Sequence, residues 1–332
     1  MQPLILPGLA TPFRHDFVMK IAGLPCRTLV RVGPEAAAVA KRVSVFVCGV
    51  QKGGTTSLFS YLRDHPGLSA PHGKEVHFFD DETQDWNAPD YGGLEAAFDD
   101  DGGRLRFEAT PIYGFWPPAM ARLKAYNPAA RLIFLFRDPF ERAWSHWCME
   151  YARGEEGMSF AEAIRGGRMR MRLGEPLSRV HRHLSYVERG FYAVQVRRAL
   201  AHFPAEQLLF LRSEDLANQP HATLARIAHF LGIGPFPPLP PRREFTRPDI
   251  LWPCRPTPAD RALFTRLLKL EILAFSELTG LDVSRWPTMR EVPALERRWS
   301  ISECARIPFI ALQDQASGKR YRTNSSAGAN ES

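Results

Sequence analysis

Residues 49–57, which read G-V-Q-K-G-G-T-T-S, combine the residue types that bind phosphate groups. Glycine lets the backbone approach an anion closely, lysine supplies positive charge, and hydroxyl groups donate hydrogen bonds. Lys52 precedes the glycine pair, whereas the lysine of the Walker sequence G-x-x-x-x-G-K-[ST] follows its second glycine. The alternative is a glycine-rich turn with an exposed lysine. The candidate phosphate-binding residues are Lys52, Gly53, Gly54, Thr55, Thr56 and Ser57.

Residues 74–80, K-E-V-H-F-F-D, carry two side chains that are able to move a proton. If this segment is extended, its side chains alternate, so that Glu75 and His77 share one face. A carboxylate and an imidazole beside an anion site are suited to general acid–base chemistry. The alternative is a solvated edge with two unrelated polar residues.

A second anion site is indicated at Arg137 and Ser145, which are eight positions apart. Arg137 follows the apolar run 132–136, and Asp138 and Pro139 then fit the N-cap and first position of a helix. The guanidinium and the hydroxyl group can both bind one phosphate. The alternative is an arginine paired with a neighbouring carboxylate.

The elements that position these residues are strands and helices in alternation. Residues 43–48, 132–136 and 207–211 are short apolar runs that read as buried parallel strands. Ligands bind at the carboxyl ends of such strands, where the candidate residues stand. The fold class that we predict is α/β, with a P-loop-type central parallel sheet flanked by helices. The later helices are predicted over 221–231 and 258–279, the last one burying Leu263, Leu267, Leu270 and Phe275.

Composition narrows the class of ligand. The 332 residues carry a net charge of +7, which favours an anionic ligand. The arginines are spread along the chain, so nucleic acid is not the expected partner.

The five cysteines are far apart and odd in number, which argues against a zinc site or a disulfide framework and suits a reducing compartment. No apolar run approaches the roughly 20 residues of a membrane-spanning helix, and no signal sequence is apparent. We therefore expect a soluble, cytoplasmic protein.

The domain is predicted over residues 41–287. Residues 1–40 are rich in proline and read as an N-terminal extension. Residues 288–332 read as a C-terminal extension, with a disordered tail from about residue 315.

The order of these motifs resembles the sulfotransferases that use 3′-phosphoadenosine 5′-phosphosulfate (PAPS), and in particular the heparan sulfate sulfotransferases and their bacterial relatives. The resemblance rests on K-G-G-T-T-S after a strand, on K-E-V-H-F-F-D, and on R-D-P with a serine eight positions after the arginine. The G-F-Y sequence at 190–192 adds to it. It is specific over residues 43–216 and weaker as far as Trp286.

The resemblance implies a role for each candidate residue. Lys52 and its loop would hold the 5′-phosphosulfate, Arg137 and Ser145 would hold the 3′-phosphate, and Tyr192 would lie near the nucleotide. Glu75 would be the catalytic base, with His77 in the same acceptor pocket. The chemistry would need no metal.

The acceptor that the resemblance implies is a hydroxyl or amine of a carbohydrate or glycolipid, and a small natural product is the alternative. A kinase with a variant phosphate loop is a less favoured alternative, with Asp138 as the nearby carboxylate for a metal. A binding module without activity is another.

The sequence departs from the family pattern at two places. The family sequence E-K-T-P-x-Y has a lysine that helps to hold the sulfate, and Ala109 stands in its position. The basic loop before the last helix lacks the K-G-R string of the heparan enzymes, and its arginines are Arg242, Arg243, Arg247 and Arg255. Residues 154–187, rich in arginine and methionine, read as a substrate-facing flap or as a solvated helix face.

Overall fold

The central strand of the sheet is β1, Val45–Gly49, and all five of its residues are buried. A computed structural model describes residues 42–99, 102–242, 244 and 251–290. Within them a five-stranded sheet runs in the order β2-β3-β1-β4-β5, and its neighbouring strands pair in parallel. The other strands are β2 (Leu68–Ser69), β3 (Leu105–Glu108), β4 (Arg131–Phe136) and β5 (Leu208–Arg212).

Helices connect the strands, as a parallel sheet requires. The described helices are α1 (Thr55–Arg63), α2 (Gly92–Glu95), α3 (Ala119–Tyr126), α4 (Pro139–Ala152), α5 (Phe160–Ala163), α6 (Met169–Leu173), α7 (Arg179–His183), α8 (Tyr192–His202), α9 (Ser213–Asn218), α10 (Pro220–Leu231) and α11 (Pro258–Thr279).

Both faces of the sheet are covered by apolar side chains. Phe46 and Phe134 belong to one buried cluster, whereas Val45 and Ile133, their neighbours in sequence, belong to a second cluster. Successive residues of a strand point to opposite faces, so strands covered on both sides read as continuous apolar runs. This explains why β1 and β4 were recognisable in the sequence. The predicted α/β class with a central parallel sheet is confirmed.

The last helix has the predicted bounds but presents a different face to the core. Phe264, Leu268, Ile272 and Phe275 are fully buried, whereas 64% of Leu270 is exposed. The prediction that Leu270 is buried was therefore wrong, because the buried stripe is rotated by about one residue, roughly 100°. The other two predicted positions, Leu263 and Leu267, are only partly buried against the core.

Of the extensions predicted over 1–40 and 288–332, residues 1–40 and 291–332 lie outside the described residues. In the part of the chain that is described, none of the helices is both long enough and apolar enough to cross a membrane.

Candidate active site

The loop between β1 and α1 contains glycines at positions where the backbone lies very close to neighbouring atoms. A Cβ atom at Gly53 would lie 2.3 Å from the carbonyl oxygen of Leu135, so only glycine fits there. Gly54 is the N-cap of α1 with a left-handed φ of 95°, and no side chain caps the helix. The first N–H groups of a helix have no acceptor within it and carry partial positive charge. This helix terminus, which includes Thr55, Thr56 and Ser57, is therefore suited to bind an anion.

Lys52 lies in this loop beside helix α4. Its Nζ atom is 3.7 Å from the sulfur of Met149. Burial, together with the charges of Arg153 and Arg137, lowers the pKa of Lys52 to about 8. Three cations that converge in this way favour a negatively charged ligand, whose charge would raise the pKa of Lys52 again.

Arg137 joins the second predicted anion site to the first. It follows β4, and its Nη1 donates to the carbonyl oxygen of Lys52 at 3.4 Å. Its Nη2 lies 3.8 Å from the carboxylate of Glu141. Asp138 accepts hydrogen bonds from the N–H groups of Phe140 and Glu141, so the predicted N-cap is confirmed.

Ser145 and Tyr192 contribute to this region in different ways. Ser145 lies two turns into α4 and is nearly buried. Tyr192 is fully buried, and its hydroxyl donates to the carbonyl oxygen of Arg137 at 2.8 Å. Tyr192 thus reaches the predicted nucleotide site by supporting the backbone of Arg137.

A compact charged cluster stands at residues 74–80. Lys74 Nζ lies 2.6 Å from Oε1 of Glu75, and His77 Nε2 lies 3.3 Å from its other oxygen. The opposite ring nitrogen, Nδ1 of His77, lies 2.9 Å from Asp80, which is fully buried. Glu75 therefore contacts two potential cations, and His77 bridges two carboxylates.

The electrostatics of this cluster set the protonation states of Glu75 and His77. Burial alone would raise the pKa of Glu75, but the hydrogen bond from His77 and the charge of Lys74 lower it to about 2. Burial alone would lower the pKa of His77, but the hydrogen bonds to Asp80 and Glu75 raise it to about 9. At neutral pH Glu75 is ionised and able to accept a proton, whereas His77 already holds one.

This segment does not have the extended conformation on which the alternation of side chains depended. Glu75 and His77 have left-handed φ angles of 62° and 57°, which non-glycine residues seldom adopt. Side chains from the end of β3 and the turn after it bind successive N–H groups. Glu108 accepts from Val76 at 3.2 Å, Thr110 accepts from His77 at 3.3 Å, and Tyr113 accepts from Phe78 at 3.1 Å. The predicted proximity of Glu75 and His77 thus arises from a tight bend.

The sequence E-A-T-P-I-Y therefore supplies acceptors to the backbone that carries Glu75 and His77. Its glutamate, Glu108, is fully buried, and burial raises its pKa to about 7, against the hydrogen bonds from Thr110 and Val76. Ala109 is fully buried among apolar side chains, so it brings no charge to the site.

Several residues of the site had no role in the sequence analysis. Lys74 and Asp80 lie in the same motif as Glu75. Their charge and their closeness in sequence to a candidate base could have indicated a role in the site. Glu108 and Tyr113 lie in a motif at the carboxyl end of a strand, where site residues gather. Arg182 contacts Asp80 from 102 positions away, and no local pattern indicates such a contact.

The basic regions are mostly engaged with the protein itself. Arg242 is paired with Asp64, Arg255 is exposed, and Arg243 and Arg247 lie outside the described residues. No residue of helices α6 and α7 is buried, and five of the six arginines of residues 154–187 form ion pairs: Arg165–Asp260, Arg168–Glu188, Arg170–Glu156, Arg179–Glu155 and Arg182–Asp80. Among the described residues, no group of three His, Cys, Asp or Glu side chains is placed to hold a metal ion.

Comparisons with known proteins find relatives among the sulfotransferases. Heparan sulfate glucosamine 3-O-sulfotransferase 6 from Mus musculus is 32% identical over 232 residues, which cover 70% of this chain and 62% of the relative. Heparan sulfate glucosamine 3-O-sulfotransferase 3B1 from Homo sapiens is 32% identical over 187 residues, 56% of this chain and 45% of the relative. The chain thus spans less than two thirds of the length of these relatives.

A solved structure and a domain family extend the comparison. A sulfotransferase from Alicyclobacillus acidocaldarius is 27% identical with a TM-score of 0.58, and the match covers 74% of this chain and 98% of that one. Residues 42–237 match the family described as the sulfotransferase domain, and this range includes the phosphate loop, the charged cluster and Arg137. Since that match covers more than half of the chain, the protein belongs to the sulfotransferase family.

Proposed function

We propose that this protein transfers a sulfuryl group from PAPS to a hydroxyl or amine of a carbohydrate or glycolipid acceptor. The observation that carries this proposal is the placement of the donor and acceptor groups at one edge of the sheet. Lys52 and Arg137 follow the adjacent strands β1 and β4, and the cluster around Glu75 is held by the end of β3 on the other side of β1.

The donor side of the proposed site stabilises the leaving group. Lys52 and the N-terminus of α1 hold the 5′-phosphosulfate and neutralise the charge that develops on the bridging oxygen. Arg137 and Ser145 hold the 3′-phosphate, which fixes the nucleotide in one orientation. Arg255, which lies just before α11 in the basic loop, is exposed and is our candidate to close over the nucleotide.

The acceptor side supplies the base. Glu75 is ionised and accepts the proton of the acceptor group as its oxygen or nitrogen bonds to sulfur. The bond between sulfur and the bridging oxygen breaks in line, and the products are the sulfated acceptor and 3′-phosphoadenosine 5′-phosphate. Lys74 and protonated His77 offset the negative charge beside the transferring group.

The names of the relatives support the proposed acceptor class. The two relatives named above are described as 3-O-sulfotransferases that act on glucosamine of heparan sulfate. A glucosamine-containing glycan is therefore the first acceptor to test, and a small natural product is the second. Because Ala109 replaces the family lysine, the acceptor need not be heparan sulfate itself.

The cellular location that we propose is the cytoplasm. Cys48, Cys148 and Cys254 are free thiols among the described residues, and free thiols suit a reducing compartment.

The experiment that tests this function follows radiolabelled sulfate from PAPS. The protein is incubated with heparosan, desulfated heparan sulfate, glycolipids and phenolic natural products, and labelled product is separated from donor. We expect label in at least one carbohydrate. Label only in phenols would favour the natural-product alternative, and no label in any acceptor would contradict transfer to these classes.

A second test separates this function from the kinase alternative. A ligand that binds only the folded state raises the unfolding temperature, and the rise grows with the logarithm of its concentration over Kd. We expect 3′-phosphoadenosine 5′-phosphate to raise it clearly and ATP with magnesium to raise it little. The reverse order would favour the kinase, although both oxygens of Asp138 already accept backbone N–H groups.

A further inference from the structure

We propose that Arg182 is a positioning residue for the acid–base cluster. It holds Asp80 against His77, and through His77 it fixes the carboxylate of Glu75. This inference rests on the proposed sulfuryl transfer, and it assigns a role to an arginine that lies outside the motifs of the family.

Arg182 reaches the cluster from a helix that is not part of the core. No residue of α7 is buried, yet the guanidinium of Arg182 donates to both the carboxylate and the main-chain carbonyl of Asp80. It also lies over the ring of Trp116, 4.7 Å from the ring centroid. The planar guanidinium of Arg182 thus donates two hydrogen bonds to one residue and lies over an aromatic ring. Together these contacts fix its orientation as well as the position of its charge.

Asp80 depends on this contact. Its side chain is fully buried, and its carboxylate accepts hydrogen bonds from Nδ1 of His77 and from Arg182. A buried carboxylate that loses one of two cationic partners is destabilised and reorients or recruits water. Because Asp80 holds the ring of His77, a change at Arg182 is transmitted to Nε2 of His77 and to Glu75.

The position of Arg182 is itself tied to the phosphate loop. The guanidinium of Arg189 donates to the carbonyl oxygen of Arg182 at 2.6 Å and to the side-chain oxygen of Gln51 at 2.7 Å. Arg189 is almost fully buried, and Gln51 directly precedes Lys52. A continuous set of contacts thus runs from the donor loop to the base.

Helix α7 offers a matched control. Arg179 lies one turn before Arg182 and pairs with Glu155, which does not contact the cluster. If the ion pairs of α7 only attach the helix to the domain, loss of either arginine has the same effect. If Arg182 positions the cluster, only its loss changes the chemistry.

The kinetic test compares Arg182→Gln, Arg182→Lys and Arg179→Gln in the full chain. The readout is sulfuryl transfer from PAPS to the best acceptor found for the unmodified protein. We expect Arg182→Gln to lower kcat by about 10–100-fold, because small misplacements of catalytic groups have effects of this order. The KM for PAPS stays within about twofold, Arg182→Lys recovers part of the rate, and Arg179→Gln behaves as the unmodified protein.

Two kinetic outcomes would overturn the proposal. Equal losses in the Arg182 and Arg179 variants would show that the ion pairs only attach α7. A higher KM for the acceptor with kcat unchanged would make Arg182 an acceptor contact. If Arg182→Gln does not fold, Arg182→Lys is used in its place. We then expect a lower kcat with the KM values unchanged.

A second readout needs no acceptor. The titration of His77 is followed by NMR in the unmodified protein and in the Arg182 variants, with His77→Gln to assign the signal. The charged groups that face His77 are Glu75 and Asp80 in contact, with Lys74, Glu108 and Arg182 beyond them.

Loss of a positive charge alone would raise the pKa of His77. If Arg182 holds Asp80 in place, its loss instead lowers the pKa of His77 from about 9 towards 6.5. A pKa that stays or rises in both Arg182 variants overturns the proposal. If the unmodified protein transfers no sulfuryl group, the proposed function fails, whereas this titration still reports on Arg182.

Discussion

Arg137 is paired within the protein in a way that a phosphate can replace. Its Nη2 lies 3.8 Å from Glu141, and Glu141 also lies 3.3 Å from Arg261. Partly exposed ion pairs of this length contribute little to stability. A phosphate offers a bidentate, doubly charged partner, so exchange of Glu141 for the 3′-phosphate is favourable.

Arg137→Ala is therefore expected to weaken binding of 3′-phosphoadenosine 5′-phosphate by more than tenfold, since the bound phosphate would bury its pair with Arg137, and truncating one partner of such a pair costs about 2–5 kcal/mol. Glu141→Gln is the matched control and should bind the nucleotide at least as tightly. Calorimetric titration measures both. Unchanged binding by Arg137→Ala would make this arginine purely structural.

At the residue scale, the sequence indicated which side chains form the charged cluster, but it did not indicate the backbone conformation that carries them. Glu75 and His77 do lie together, but in a left-handed bend that alternation did not predict. The bend is set by side chains more than 30 positions away, and local propensity carries no information about them. Arg182 was missed for the same reason.

At the scale of elements, the end of β3 and its following turn act as a clamp on residues 76–78. Thr110 occupies the middle of this clamp: its hydroxyl accepts the N–H of His77 and donates to Glu108. Two non-glycine residues in left-handed conformations cost about 1–3 kcal/mol each, and contacts of this kind keep them there.

Thr110→Val keeps the shape of the side chain and removes both hydrogen bonds. We expect turnover to fall by at least about tenfold with PAPS affinity unchanged, because the base moves while the phosphate loop does not. Thr110→Ser keeps the hydroxyl and should stay near the original rate. Steady-state kinetics of the two variants make the comparison, and equal rates would show that the clamp is dispensable.

The elements themselves were predictable where burial imposes a pattern. Strands covered on both faces give apolar runs, and α11 has caps at both ends, Thr257 and Gly280. Which side of α11 is buried was not predictable, because α11 has apolar residues on more than one side. Contacts with α8 determine which of these sides faces the core. One such contact runs from the N–H of Val194 to Glu271.

At the scale of the molecule, the carboxyl edge of the sheet concentrates buried charge. Glu108 has a pKa of about 7 in the folded protein, against 4.5 for an ordinary glutamate. The folded state therefore retains the proton between these values while the unfolded chain has lost it. The stability contributed by Glu108 is complete below pH 4.5 and is lost as the pH rises through 7.

Glu108→Gln removes this titration and preserves an acceptor for Val76. Relative to the variant, the unmodified protein should lose about 2 kcal/mol of unfolding free energy between pH 5 and pH 8. Chemical denaturation at both pH values gives this difference directly. A gap between the two proteins that does not change with pH would mean that Glu108 titrates normally.

The most direct test of the proposed active site is the single-turnover rate of sulfuryl transfer with Glu75→Gln. Glutamine matches the shape of glutamate but cannot accept the proton, so we expect the rate to fall by about 10²–10⁴-fold with PAPS affinity nearly unchanged. His77→Gln is measured beside it and should retain more activity, because His77 is protonated at neutral pH. If Glu75→Gln keeps most of the rate while His77→Gln abolishes it, with both proteins folded and bound to donor, the assignment of the base is contradicted.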